Sequence, residues 1–230
     1  MLMMRSLPRL AIFGLVTMFY ESVYAHVAYL DHGFHNSLTN AWEFPDDVDT
    51  RFLMVNFDCP SEASYMKVVT NGTTLGVGVG SPNITAITDY RPSLWVIGKN
   101  LTIPDSYQTD AAREQTGIGA GDTFQPVIPR GFTAIEISTE GTSSIHPFAE
   151  DGGEISGFNI LGSRITLSAP GEVFLVLQPK ENRRARAYVA VGTHETAVAQ
   201  PGSASDIEMR AWFSESATPR IGERCVPWSG

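Results

Sequence analysis

Histidine 26 and two later histidines are the residues whose chemistry best suits a transition metal. Val23 and Ala25 are the small positions of a small-x-small cleavage signal, and cleavage after Ala25 would make His26 the N-terminal residue. A terminal histidine chelates copper through its amine and ring Nδ1, and nitrogen ligands suit Cu²⁺ better than Ca²⁺. His32 lies about 20 Å from His26 if the chain is extended at about 3.3 Å per residue. The sequence therefore predicts a more distant second ligand, His146 or His194.

Two plainer interpretations compete with the copper site. The residues from His26 to Leu30 have the composition of an edge strand, which needs no metal. His32 and His35 lie in a polar stretch, where imidazoles are usually solvated. Both alternatives stay open at the level of the sequence.

An acidic turn could bind a calcium ion through the carboxylates of Asp46, Asp47 and Asp49. Hard cations prefer carboxylate oxygens, and this turn precedes an apolar run. The spacing has neither the glycine nor the distant glutamate of an EF-hand loop. The alternative is a solvated acidic turn at the start of a strand, and the same two interpretations apply to the acidic loop at 150–154.

Motifs for catalysis are absent from the sequence. It contains no GxSxG, HExxH or Walker pattern, and the glycine run at 117–121 lacks the Lys-Ser/Thr pair of a phosphate loop. One of the four tryptophans could stack against a sugar, although aromatic residues in strands usually belong to the core. The sequence therefore favours a non-catalytic protein that binds an extracellular ligand or polysaccharide, with the copper protein, a carrier or an oxidative enzyme, as the alternative.

The first 25 residues have the organisation of a secretory signal peptide. Arg5 and Arg9 precede an apolar stretch at 10–20, which is shorter than the roughly 20 residues that a membrane-spanning helix needs. We therefore predict a secreted or periplasmic protein without a transmembrane segment after cleavage; the alternative is an uncleaved anchor. In a eukaryotic host the Asn-x-Thr sites at Asn71, Asn83 and Asn100 would be glycan acceptors.

Cysteine content and charge agree with export. Cys59 and Cys225 are the two cysteines, and such a pair usually forms a disulfide in an oxidising compartment. The net charge of −9 repels phosphate backbones and anionic membrane surfaces, so nucleic acid is excluded as a partner.

Short apolar or alternating runs separated by turn residues predict an all-β protein, an antiparallel, jelly-roll-like β-sandwich over 26–200. An Asn71-Gly72 pair predicts a tight hairpin between two of these strands. A helix is predicted over 205–213 with a serine cap, within a tail at 201–230 that the disulfide ties back. The predicted strands are 27–30, 51–57, 65–69, 75–79, 94–97, 132–138, 164–168, 173–178 and 187–191.

Alternating glycines leave one face of the fourth predicted strand bare. Gly76, Gly78 and Gly80 alternate with apolar residues, so a large aromatic side chain, a second backbone or a ligand must approach closely.

Several stretches resemble a known family of domains. Residues 45–54 resemble the DVDxYxF signature that opens bacterial pre-peptidase C-terminal β-sandwich domains. Residues 91–98 are similar to their central xPxLxLxG strand, and 169–176 with 187–192 to their closing pair. Exported archaeal and bacterial proteins of the same plan share this order of motifs, with 126–137 as the third.

The resemblance extends from Trp42 to Gly192 and is divergent. Arg51 or Phe52 stands where the signature has tyrosine, and Gly-Glu-Val-Phe at 171–174 replaces GTYY. It implies a non-catalytic extracellular module of the kind found beside secreted hydrolases, with no active site to transfer.

Overall fold

A computed structural model describes residues 27–33, 35–59, 62–99, 101–102, 126–137, 139, 146–150, 153–194, 200–215 and 220–225. These residues form twelve β-strands, two short 3₁₀ turns and one α-helix, α1 (Asp206–Phe213). None of the helical segments within these ranges is long and apolar enough to cross a membrane. The strands are β1 (Val27–Leu30), β2 (Trp42–Glu43), β3 (Arg51–Phe57), β4 (Ser64–Thr70), β5 (Thr74–Pro82), β6 (Ser93–Gly98), β7 (Leu101–Thr102), β8 (Thr133–Ile137), β9 (His146–Glu150), β10 (Ile155–Leu167), β11 (Gly171–Gln178) and β12 (Ala185–Val191).

The strands build two sheets, which confirms the predicted all-β sandwich. The seven-stranded sheet has the order β1-β3-β12-β5-β10-β7, with β9 paired to β10. The five-stranded sheet has the order β2-β4-β11-β6-β8. Most neighbours are antiparallel, and the edge pairs β1 with β3 and β2 with β4 are parallel.

The core lies between the two sheets and follows the period-two pattern of the strands. In β12, Ala187, Val189 and Val191 are fully buried and face inward, while the intervening residues face outward. Leu175 and Leu177 of β11 meet them from the opposite sheet within the same core cluster. Removal of this apolar surface from water is the main stabilising contribution to the sandwich.

The predicted Asn-Gly hairpin is wrong. β4 and β5 do not pair with each other; β4 pairs with β11, and β5 pairs with β10 and β12 in the other sheet. Gly72 does not adopt the positive φ angle that the predicted turn requires. The backbone N–H of Asn71 instead donates to Asp47 Oδ2 at 2.9 Å. Burial of each strand in a different layer therefore overrides the local turn preference.

The bare glycine face is explained by two of the predicted neighbours. A Cβ atom on Gly80 would lie 2.1 Å from the Tyr188 ring, so a large aromatic side chain occupies that space. A Cβ atom on Gly76 would lie 2.6 Å from the carbonyl oxygen of Gly192, a second backbone. Gly78 is more open, with its nearest contacts at 3.2 Å and beyond.

Helix α1 begins at the predicted serine and covers part of the outer face of the seven-stranded sheet. Ser205 accepts a hydrogen bond from the N–H of Glu208, whose carboxylate bonds back to the Ser205 N–H at 2.8 Å, a capping box. Met209, Trp212 and Phe213 are buried against the sheet. The helix therefore has one apolar face docked on the sandwich.

A disulfide joins Cys59, just beyond β3, to Cys225 in the C-terminal tail, as the sequence predicts. Four features lie outside the strand prediction: β2, β7, β9 and the first part of β10. β2 and β7 span two residues each, too short to show a periodic pattern. Residues at the start of β10 alternate poorly because the pairing with β5 is shifted between Asn159 and Leu161.

Candidate functional site

The structure separates the two histidines predicted as second copper ligands. His26 lies outside the described residues. His146 is exposed on β9, where it pairs with Asn159 of β10. His194, just after β12, forms a parallel bridge with Asp49. Its carbonyl accepts from Thr50 N–H at 2.5 Å, so His194 lies beside the acidic turn.

Every carboxylate of the acidic turn has a protein partner. Nη2 of the buried Arg51 donates to Asp46 Oδ2 at 3.0 Å and to Asp49 Oδ2 at 3.1 Å. Asp46 Oδ1 also accepts from the backbone N–H groups of Val48 and Asp49. Asp47 accepts from the backbone and side chain of Asn71. The turn therefore fixes the start of β3 through hydrogen bonds.

Electrostatics at this turn favour the ionised carboxylate of Asp46. Partial burial acts in the opposite direction, but bonds from the Asp49 and Val48 N–H groups and the charge of Arg51 together lower the pKa of Asp46. Within the described ranges, no three His, Cys, Asp or Glu side chains are grouped so that they could hold a metal ion. The calcium site at Asp46, Asp47 and Asp49 therefore stays a prediction.

A groove of about 450 Å³ lies beside this turn, on the outer face of the seven-stranded sheet. Its floor crosses three strands through residues with small or absent side chains: Gly76, Gly78, Gly162 and Ala190. Gly78 is the register partner of both Gly162 on β10 and Ala190 on β12, so the three form one row across the sheet. We call this feature the glycine groove.

Polar side chains stand at the margins of the glycine groove. Arg164, the register partner of Gly76, is exposed, and its side chain has no ion pair or hydrogen bond within the described residues. Thr193 stands on the opposite side and lies 3.2 Å, Oγ1 to Nδ1, from His194. The backbone of the floor is engaged in sheet pairing, so a ligand in the groove would contact a flat surface and the side chains of Arg164 and Thr193 at its margins.

A second feature, which the sequence analysis did not identify, surrounds Asp31. Its buried carboxylate accepts hydrogen bonds from Gly33 N–H at 2.9 Å, His35 Nδ1 at 2.8 Å and Ser64 Oγ at 2.8 Å. These residues line a cleft of about 310 Å³ beside Cys59. Asp31 orients the ring of His35, so the arrangement can hold one imidazole nitrogen toward a ligand.

Sequence patterns gave little indication of that cluster. Asp31 and His35 are near neighbours in the chain, but Ser64 follows them by 33 positions and is brought in by the pairing of the strands. A polar residue immediately after β1 was the one available signal.

The described tryptophans are core or core-edge residues and offer no exposed sugar platform. Trp95 is buried and its Nε1 donates to Gln178 Oε1 at 2.8 Å. Trp42 packs at the edge of the core between the tilted ring of Tyr29 and the edge-on ring of Phe44. Trp228 lies outside the described residues.

Comparison with known proteins found neither a matching family model nor a matching curated protein.

Proposed function

We propose that this protein is exported and acts as a non-catalytic binding module, with a polysaccharide chain as its ligand in the glycine groove. The observation that carries the proposal is the uncovered row of Ala190, Gly78 and Gly162, where three adjacent strands present no bulky side chain. A flat floor of this kind lets a sugar ring or an extended chain approach the backbone closely.

Two further features support this class of protein. The Cys59–Cys225 disulfide is typical of proteins that fold in an oxidising compartment. The stretches that resemble pre-peptidase C-terminal modules coincide with strands here, since 91–98 contains β6 and 187–192 contains most of β12. That resemblance favours attachment to a surface or a polymer over catalysis.

Arg164 and Thr193 favour a particular kind of polysaccharide. A guanidinium group binds carboxylates through directed, charge-assisted hydrogen bonds, and a threonine hydroxyl both donates and accepts. The exposed Arg164 has no carboxylate partner within the described residues. We therefore propose a polymer that carries uronic-acid carboxylates.

Affinity electrophoresis in gels containing polygalacturonate, with dextran as the neutral comparison, tests the proposal. Gly162→Phe should block the groove because the ring would lie over its floor. The fold should tolerate the change, because a Cβ atom at Gly162 would meet nothing within 4 Å. Gly162→Ala is the matched control. We expect retardation by polygalacturonate in wild type and Gly162→Ala, and its loss in Gly162→Phe. Equal mobility of all three proteins in both gels contradicts the proposal.

A copper protein is the second candidate, and one observation favours His194 over His146 as the ligand. The N–H of Val27 donates to the carbonyl of Thr50 at 3.4 Å, while the N–H of Thr50 donates to the carbonyl of His194. Val27 and His194 therefore flank the same residue. Cleavage after Ala25 would place a terminal histidine next to Val27.

Mass spectrometry of the secreted protein and a Cu²⁺ titration test this candidate. A start at His26 and weaker binding in His194→Ala, but not in the control His146→Ala, support it. A different N-terminal residue, or equal affinity in both variants, eliminates it.

A further inference from the structure

One long side of the glycine groove is formed by an aromatic ring. Tyr188 of β12 leans across Gly80 of β5, where its ring occupies the space that a Cβ atom would need. Its hydroxyl donates to Asn159 Oδ1 at 2.6 Å, so the side chain reaches from β12 to β10. Tyr188 is 5% exposed and belongs to the buried cluster under α1. A ligand in the groove therefore cannot extend along the strands in this direction.

The opposite long side is formed by backbone. An added Cβ atom on Gly76 would lie 2.6 Å from the carbonyl oxygen of Gly192, so the chain that leaves β12 covers this position. Between the two sides lies the single row of Ala190, Gly78 and Gly162, which crosses the strands. A chain-like ligand therefore lies along this row, across the strand direction.

Phe52 closes one end of the row. It lies on β3 as the register partner of Ala190, so its side chain continues the row on the outer face of the sheet. The ring is partly exposed and its centre lies 5.5 Å from that of Tyr188. The next position in the row is Ala28 of β1, which is 2% exposed and belongs to the buried cluster under α1. The open part of the row therefore stops at the Phe52 ring.

The other end of the row is open at the edge of β10. On the side of β10 that faces away from β5, β9 pairs as far as Asn159 and β7 pairs from Thr166 onward. Among the strands that the structure describes, none pairs with residues 160–165 on that side. Gly162 lies in this gap, and the exposed Arg164 lies two residues further along. A ligand can therefore enter the groove from this edge and meet Phe52 at the far end.

We infer that the glycine groove binds the end of a polysaccharide chain and not a segment from its middle. This inference rests on the proposed function and specifies which part of the polymer is bound. The floor from β12 to β10 spans two strand spacings, roughly 10 Å, so it holds a short terminal segment. The apolar face of the last sugar packs against the Phe52 ring, and the carboxylate of a unit nearer the entrance pairs with Arg164. A segment from the middle of a chain would have to continue through Phe52 and the buried Ala28.

Calorimetry tests the inference with galacturonate trimer and with size-fractionated polygalacturonate chains long enough to carry several proteins side by side. We expect one protein per chain for both ligands, with the same affinity per mole of chain. Several proteins per long chain, with binding lost in Gly162→Phe, overturn the inference and leave the proposed function intact. Neither heat of binding nor retardation by polygalacturonate in wild type would overturn both.

A pair of phenylalanine variants tests the closed end of the groove. Phe52→Leu removes the flat ring and keeps an apolar side chain, so it should bind the trimer about tenfold more weakly, the effect of one lost aromatic contact. Phe148→Leu is the matched control, because Phe148 is also partly exposed and packs 6.3 Å from Tyr188, but pairs with Gly157 outside the row. The control should bind the trimer as wild type does. Equal affinity of wild type and Phe52→Leu for the trimer also overturns the inference.

Discussion

The outer face of the seven-stranded sheet consists of two regions with opposite composition. In the covered region, Met54, Ile155 and Tyr188 pack against Met209 and Phe213 in one buried cluster. In the bare region, β10 and β12 together with β5 carry the glycines and alanine of the glycine groove. The boundary falls within single strands, since β12 contributes Tyr188 to the first and Ala190 to the second. The volume of the outward-facing side chains thus decides on which part of this sheet the helix packs.

Energetics explain why the bare region stays uncovered. Each large apolar side chain buried under α1 contributes about 1.5–3 kcal/mol, which supports the ordering of the helix. Glycine offers no side-chain surface, so a cover over Gly78 and Gly162 would gain little. An open groove is therefore the stable arrangement there, and close approach by a ligand does not require any element to move.

Phe213→Ala gives the largest effect and removes part of the covered region. Phe213 is 4% exposed and packs edge-on against Trp212 and Phe148. Truncation leaves a cavity and should lower the free energy of unfolding by about 3–5 kcal/mol. Urea denaturation followed by circular dichroism measures it. The control Ile207→Ala, on the exposed side of the same helix, should change stability by less than about 0.5 kcal/mol.

A pair of identical glycine substitutions compares the two regions directly. Gly80→Ala forces a methyl group against the Tyr188 ring and the Phe158 carbonyl, at 2.1 and 2.5 Å, and should destabilise the protein by about 1–3 kcal/mol. Gly162→Ala meets open space and should be neutral or stabilising by up to about 1 kcal/mol, because alanine restricts the unfolded chain. Equal destabilisation by both substitutions in urea titrations would show that the regions do not differ in packing.

Local patterns predicted the helix and most of the longer strands, but they did not predict how these elements pair. The alternation in 51–57 and the Ser205 cap predicted β3 and the start of α1 correctly, because both depend on neighbouring residues. The Asn71-Gly72 turn was wrong, because the partner of β4 lies about a hundred residues further along, in β11.

The candidate sites show the same limit. The alternating glycines predicted that an aromatic side chain, a second backbone or a ligand lies close to this strand. The Tyr188 ring lies against Gly80, and the Gly192 backbone lies against Gly76. It could not place His194 beside Asp49, or Ser64 beside Asp31, because those contacts depend on strand register between distant segments. Nor did the sequence distinguish the unpartnered indole of Trp212 from the bonded indole of Trp95.

Ser205→Ala weakens the covered region by removing the N-terminal cap of α1. Loss of the hydroxyl leaves the Glu208 N–H without its cap and should cost about 1 kcal/mol. Amide hydrogen exchange should accelerate in α1 and remain unchanged in β5 and β10, which form the floor of the glycine groove. Ser203→Ala, which alters no side-chain hydrogen bond described for this turn, is the matched control. Uniform acceleration throughout the sandwich would mean that the helix and the bare region unfold as one unit.

Asp46→Asn gives the smallest effect. It changes the acidic turn beside the bare region, and this turn is held by polar contacts rather than by apolar packing. Asp46 is about one-third exposed and its folded pKa lies below the ordinary value of 3.8. A carboxylate with a lowered pKa stabilises the fold above its unfolded pKa, and this contribution disappears as the pH falls through the folded value. The substitution should therefore cost about 0.5–1 kcal/mol at pH 7, and this cost should shrink as the pH falls through the folded pKa of Asp46. Urea titrations of both proteins across this range measure the convergence. A constant difference between them at every pH would show that the contacts of Asp46 act through hydrogen-bond geometry rather than through charge.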